Sequence, residues 1–250
     1  MKNTTGLMRD EIDDLCAMIR ADIPKSQQTW PPILGLFGSV VVALTYLRRN
    51  RCQAEIAEAQ GVSQATISRA ITRITPLIEA VLRAVVPTAD DLDAKTPYLV
   101  DGTLLPCWSW HGHPELFSGK HKTTGMNVQV AATLSGRVQW ISDAIDGSRH
   151  DVACLDDSGV LTGMEPGQWI ADKGYIGRGL ITPTRKPIGG NLGDSEKEFN
   201  RQVNQIRATI ERVIAHFKNW RIMHTDYRRP LDTFAATIST VIALHFWATA

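Results

Sequence analysis

The sequence predicts two joined parts, an all-α region followed by an α/β domain built on a mixed five-stranded sheet with helices. Two observations carry this. Apolar residues recur at helical spacing through residue 86, and short β-branched runs take over beyond an acidic stretch bounded by prolines (PTADDLDAKTP, 87–97). Strands followed by interleaved helices make a layered α/β arrangement rather than a bundle. The expected boundaries are 1–90 for the helical domain, 91–97 for the linker and 98–250 for the second domain.

In the first part, Met8 to Ile19 and Ile33 to Leu47 read as helices, and Cys52 to Val86 as three shorter ones. Within that last stretch, QAEIAEAQGVSQATISRAITRI (53–74) has the pattern of a helix-turn-helix. Ile56 and Ala57 face inward, Gly61 supplies the tight turn, Val62 plugs the core and Ser63 caps a second helix through Ile67, Ala70 and Ile71. That leaves Gln64, Ala65, Thr66, Ser68, Arg69, Thr72 and Arg73 outward, short polar and basic side chains suited to base edges and phosphates.

In the second part, Tyr98-Leu99-Val100 reads as a strand ending at Asp101, Met126 to Leu134 as a second, and Val138 to Ile145 as a third after the Ser135-Gly136 turn. A helix begins at Asp151 with Ser148 as its cap. Trp169 to Ala171 is a fourth strand ending at Asp172, and Ile181 to Pro183 a fifth. A Gly/Pro-rich loop (184–194) then leads to a long helix from about Ser195 to Trp220. The tail from Leu231 is long enough to span a bilayer, but Asp232, Ser239, His245 and four threonines make it a core helix instead. The first twenty residues carry acids where a secretory leader needs an apolar run, so a cytoplasmic location is expected. Four scattered cysteines with no C-x-x-C pair read as reduced thiols.

A net charge of +1 conceals a gradient. Residues 1–97 are neutral, 98–172 carry 4 basic and 9 acidic side chains, and 173–229 carry 12 basic and 5 acidic. An acidic centre beside a basic arm suits a metal-dependent phosphodiesterase, with acids holding cations and Lys and Arg holding phosphates. Asp101 and Asp172, each just past an apolar run, are the candidate ligands for a hard cation such as Mg²⁺ or Mn²⁺. Asp151 rivals Asp172, although an acid at a helix start can simply favour the helix dipole. Cys107, His111, His113 and His121 fit no common zinc spacing. Lys120, Lys122, Lys173, Arg185, Lys186, Arg228 and Arg229 are candidates for the DNA backbone. Trp108 and Trp110 are candidates for stacking on bases, and Trp220 for the core.

Residues 204–218 run NQIRATIERVIAHFK, placing Arg207, Glu211 and Lys218 along one helical stripe. This resembles the Y-x2-R-x3-E-x6-K signature of insertion-sequence transposases of the DDE superfamily, with Asn204 where the family has tyrosine. DGTLLPC (101–107), SGKHKTTGMNVQV (118–130), DGSRHD (146–151) and ADKGY (171–175) resemble the family's other segments in the same order. The resemblance implies a ribonuclease-H-like catalytic domain preceded by a helix-turn-helix. It implies cleavage of transposon ends and transfer of the freed 3′-hydroxyl to target DNA, using two Mg²⁺ or Mn²⁺ ions. Asp101 would bridge the ions, Asp172 bind one and Glu211 the other, while Arg207 and Lys218 hold phosphates. His150, Asp151, Asn204 and Arg212 would support these groups from behind. The implied partners are the terminal inverted repeats and target DNA, bound by a homodimer or larger assembly associated with the bacterial nucleoid. Two alternatives stay open: a silent transposase acting as a DNA-binding regulator, and a nuclease without strand transfer.

Overall fold

A computed structural model describes residues 1–108 and 111–249. Eight α-helices run in the order α1 (Lys2–Thr5), α2 (Arg9–Asp22), α3 (Gly35–Arg49), α4 (Gln53–Gln60), α5 (Gln64–Leu82), α6 (Asp151–Ser158), α7 (Asp194–Phe217) and α8 (Phe234–Thr249) among the described residues. Five strands, β1 (Tyr98–Pro106), β2 (Phe117–Ser118), β3 (Thr123–Thr133), β4 (Val138–Ile141) and β5 (Ile145–Asp146), lie between α5 and α6. The chain divides into two compact units, residues 1–86 with 218–250, and residues 87–217.

The first unit is helical. α4 ends on Gly61 in the left-handed conformation (φ 62°), where the N–H of Val62 reaches the Ala57 carbonyl. Ser63 caps α5, its Oγ accepting from the Thr66 N–H at 3.3 Å. α5 is one helix where the sequence suggests a break. It passes through Pro76, whose ring removes one helical N–H, because Ile67, Ala70, Ile71, Ile74, Ile78 and Leu82 form an unbroken buried stripe. Burying each of these isoleucines and leucines contributes about 1.5–3 kcal/mol, enough to outweigh the missing bond. Thr66, expected outside, is only 7% exposed, with its hydroxyl turned to Ser63.

The second unit carries the sheet. β1 and β3 pair antiparallel without interruption from Tyr98↔Thr133 to Pro106↔Gly125. Asp101 therefore lies within a nine-residue strand rather than at the end of a three-residue one. The expected 138–145 strand divides into β4 and β5, both on β3, with a register shift between Ala131 and Ala132. Trp169–Ala171 and Ile181–Pro183 are not full strands. Single parallel bridges, Leu99↔Ile170 and Ile170↔Ile181, give the otherwise antiparallel sheet its mixed character. One face of this layer packs Tyr98, Val100, Ala131, Leu155, Trp169 and Tyr175 into a core. α6 starts at Asp151, with His150 rather than Ser148 at the N-cap and no side-chain capping bond.

α7 stops at Phe217, three residues short of expectation, so Lys218 stands beyond the helix that carries Arg207 and Glu211. The tail packs with the N-terminal helices rather than with the sheet. Leu231–Thr249 is long and apolar enough to cross a membrane by length and composition. Against α5 it buries Phe234, Ile238, Val241, Ile242 and Leu244, and Thr240 Oγ1 donates to the Thr75 carbonyl at 3.2 Å. Trp220 is 3% exposed beneath the Arg48 guanidinium, as a core residue should be.

Candidate active site

The site is assembled on the two long strands. Side chains alternate along β1, so Leu99, Asp101 and Thr103 share one face, and Val100, Gly102 and Leu104 the other. On its face, Asp101 meets α7: Arg207 Nη2 donates to Asp101 Oδ2 at 3.1 Å. The two side chains are 13% and 15% exposed. The backbone N–H of Gly102 donates to Asp101 Oδ1 at 2.9 Å.

On the opposite face, Gly102 pairs with Gln129, and α6 delivers Asp151. A Cβ at position 102 would lie 2.5 Å from Asp151 Oδ1 and 2.8 Å from Gln129 Nε2. The missing side chain is therefore the space through which Asp151 reaches the strand. Asp151 is held at both oxygens, by Asn127 Nδ2 at 2.9 Å and Lys120 Nζ at 2.7 Å. Behind it a buried polar chain continues: Gln129 Nε2 donates to Asn127 Oδ1 at 3.4 Å, and the Tyr175 hydroxyl donates to Gln129 Oε1 at 2.6 Å. Asp172 caps the turn Lys173–Tyr175, its Oδ1 accepting from the Gly174 N–H at 2.6 Å.

Electrostatics ties the three aspartates into one neighbourhood. Burial pushes the Asp101 carboxyl up to about 6; Arg207 opposes the rise, while the charges of Asp172 and Asp151 add to it. Burial pulls the Lys120 ammonium down, but the hydrogen bond to Asp151 and the charges of Asp151, Asp172 and Asp101 carry it above the usual lysine value. Tyr175 is pushed up by burial first and then by the same three carboxylates. These groups suit a hard divalent cation, because every candidate donor is a carboxylate oxygen. Among the described residues, no three carboxylates, imidazoles or thiols converge as a ready-made cage.

The other sequence candidates are dispersed. Glu211 is exposed on α7, one turn beyond Arg207, and Asn204 and Arg212 are exposed on the same helix. Arg212 donates to Thr209 at 3.1 Å. Lys173 is exposed, and His150 is exposed at the start of α6. Burial lowers the Lys218 ammonium. Trp108 is 54% exposed, while Trp110 lies outside the described residues. In the other unit, Gln64 and Arg69 are exposed, and Ser68 and Arg73 are half-buried. Sequence reasoning missed Asn127, Gln129 and Tyr175. The signal was present: two amides two residues apart place polar groups on one face of an otherwise apolar strand.

The site is thus an α/β arrangement in which Asp101, Asp151 and Asp172 lie within electrostatic reach of one another beside Arg207 and Lys120. The chain belongs to the DDE superfamily endonuclease family, whose match covers residues 100–245. That match runs past the end of the sheet unit into the C-terminal helix. Two curated relatives agree with it. One, from Streptomyces albus G, carries the name of transposase for insertion sequence element IS112. It is 29% identical over 224 residues, covering 88% of this chain and 83% of its own. The other, from Microchaete diplosiphon, is named as transposase for insertion sequence element IS702. It is 25% identical over 257 residues, covering 98% of this chain and 92% of its own. No solved structure matches the chain at a significant level. The protein is thus an enzyme of the transposase and endonuclease class.

Proposed function

We propose that this enzyme binds the terminal inverted repeats of an insertion sequence, cuts the phosphodiester at those ends and joins the freed 3′-hydroxyl to target DNA. What supports this reading is the family match over residues 100–245 together with Asp101 on β1, held against Arg207 of α7, and Asp151 of α6, held by Lys120 and Asn127. Asp101 and Asp172, with Glu211 from α7, would hold Mg²⁺ or Mn²⁺ ions, which when bound supply the positive charge that stabilises the phosphate oxygens in the transition state. The chain's own residues orient the substrate. Lys120, exposed but tethered to Asp151, is placed to meet a phosphate, and Lys173 follows Asp172 directly. In the helical unit, the outer face of α5 reads the ends through Gln64 and Ser68. A homodimer or larger assembly would bring two ends together.

A second reading has its own support. Asp151 is shielded and fixed at both oxygens beside β1, by Asn127 and Lys120, whereas Glu211 is exposed on α7, which makes Asp151 the rival for the third carboxylate. Duplexes carrying the element's ends, incubated with the protein and Mg²⁺ or Mn²⁺, separate the possibilities on a denaturing gel. Nicked ends plus joined products support transposition; nicks alone indicate a nuclease, and binding without nicks a regulator. Glu211→Gln should abolish cleavage while Asp151→Asn only slows it. The reverse ranking would exchange their roles.

A further inference from the structure

Beside α5 lies a groove of about 420 Å³, walled by residues 29–33 on one side and by Thr66, Arg69 and Arg73 of α5 on the other. Its size falls in the range of small-ligand sites. The wall from Trp30 to Ile33 is apolar: a half-buried indole, two prolines, and Ile33 at 72% exposure. The opposite wall is cationic and pre-set. Arg73 Nη2 donates to the Gln27 carbonyl, and its Nε is buried without a partner. Arg69 reaches the Ala65 carbonyl at 3.3 Å and Thr66 Oγ1 at 3.4 Å. No acidic residue lines the groove, and neither arginine has an ion-pair partner among the described residues. A third guanidinium, Arg229, donates to Thr72 Oγ1 of α5 at 2.8 Å.

We propose that this groove grips the sugar-phosphate backbone of one DNA strand, with a deoxyribose against Trp30 and the adjoining phosphates on Arg69 and Arg73. The inference rests on α5 being the DNA-facing helix, and it divides that helix by task. Arg73, already bound to the Gln27 carbonyl, is held back from base edges and contributes charge, whereas Gln64 and Ser68 remain to read sequence. An apolar wall opposite guanidiniums without ion-pair partners suits a sugar flanked by phosphates better than an apolar protein segment, which would leave both charges unneutralised.

The test is an anisotropy titration of the full-length protein with two labelled duplexes, one carrying the element's ends and one scrambled. Trp30→Ala should weaken both by a similar factor, about tenfold, without altering the salt dependence. Arg73→Ala should weaken both and reduce the slope of log affinity against log salt by about one. Gln64→Ala should weaken only the element's ends. Trp30→Phe, which keeps a flat ring, should bind like the wild type, and this separates loss of contact from loss of folding. Trp30→Ala binding both duplexes within twofold of wild type overturns the clamp while leaving α5 as the reader. So does a Trp30→Ala protein that changes only its sedimentation. Wild-type protein that binds neither duplex overturns both the clamp and the reading of α5.

Discussion

Arg207 and Asp101, 106 positions apart in the chain, are joined across the interface of α7 and β1, with Nη2 donating to Oδ2 at 3.1 Å. The pair is largely shielded from water, and it secures the helix that carries Glu211 to the strand that carries Asp101. Breaking a buried pair from one side is costly because the remaining charge stays unpaired. Arg207→Met should therefore lower stability by about 3 kcal/mol at pH 8. The loss should shrink at pH 5, where Asp101 takes up a proton and the stranded charge disappears. Urea unfolding at the two pH values measures this, and equal losses would contradict the pairing.

Asp101 gives a second pH signature in protein kept free of metal. Folded, its carboxyl titrates at about 6, mainly because it is buried. Unfolded, it titrates near the ordinary value of about 4. Between those values the folded chain holds more protons than the unfolded chain, so stability falls as pH rises through the window and levels off above it. The total amounts to roughly 2–3 kcal/mol. In unfolding curves collected with a chelator from pH 4 to 7, Asp101→Asn should flatten that slope. An unchanged slope would assign the titration to another group.

Much of this was legible in the sequence, for physical reasons that also mark the boundary. Asp101 follows an apolar run that a buried strand explains, and the Arg207–Glu211 spacing sets both on one helix, whereas the run before Asp172 makes only single bridges. The extent of β1 was not legible, because DGTLLP reads as a turn unless the eleven-residue partner β3 is known to lie beside it. Nor was the placement of the tail. An apolar helix announces that it is buried, but its periodicity does not say which core receives it, and Thr240 with its bond to Thr75 is a tertiary fact. Gln129 reads as an ordinary strand amide until Tyr175, 46 residues on, supplies its donor.

That Tyr175–Gln129 bond carries a third prediction. Gln129 and Tyr175 are both fully buried, and they are linked at 2.6 Å. Tyr175→Phe removes the donor and leaves Gln129 Oε1 without it in the core, costing about 1–3 kcal/mol. Because Gln129 in turn donates to Asn127, which holds Asp151, DNA cleavage should fall by more than binding does. A Tyr175→Phe protein with wild-type stability would show that water replaces the hydroxyl.

Gly102 offers the sharpest discrimination between a structural and a positioning role. Its φ is unremarkable, so alanine there is not a backbone problem; the obstacle is space, with Asp151 Oδ1 at 2.5 Å and Gln129 Nε2 at 2.8 Å from the added methyl. Both neighbours are ends of side chains, so the strand survives while Asp151 is displaced. Gly102→Ala should cost about 1–3 kcal/mol, in the range of overpacked sites. Gly125→Ala, whose methyl would meet the Leu105 carbonyl at 2.4 Å, presses on backbone and should disturb the β1–β3 ladder itself. Shortening the neighbour tests the cause. In the Gly102→Ala, Asp151→Ser double variant the clash is relieved, so the measured loss should be smaller than the two single losses combined. Strict additivity would place the damage elsewhere, in β1 rather than in the approach of α6 to it.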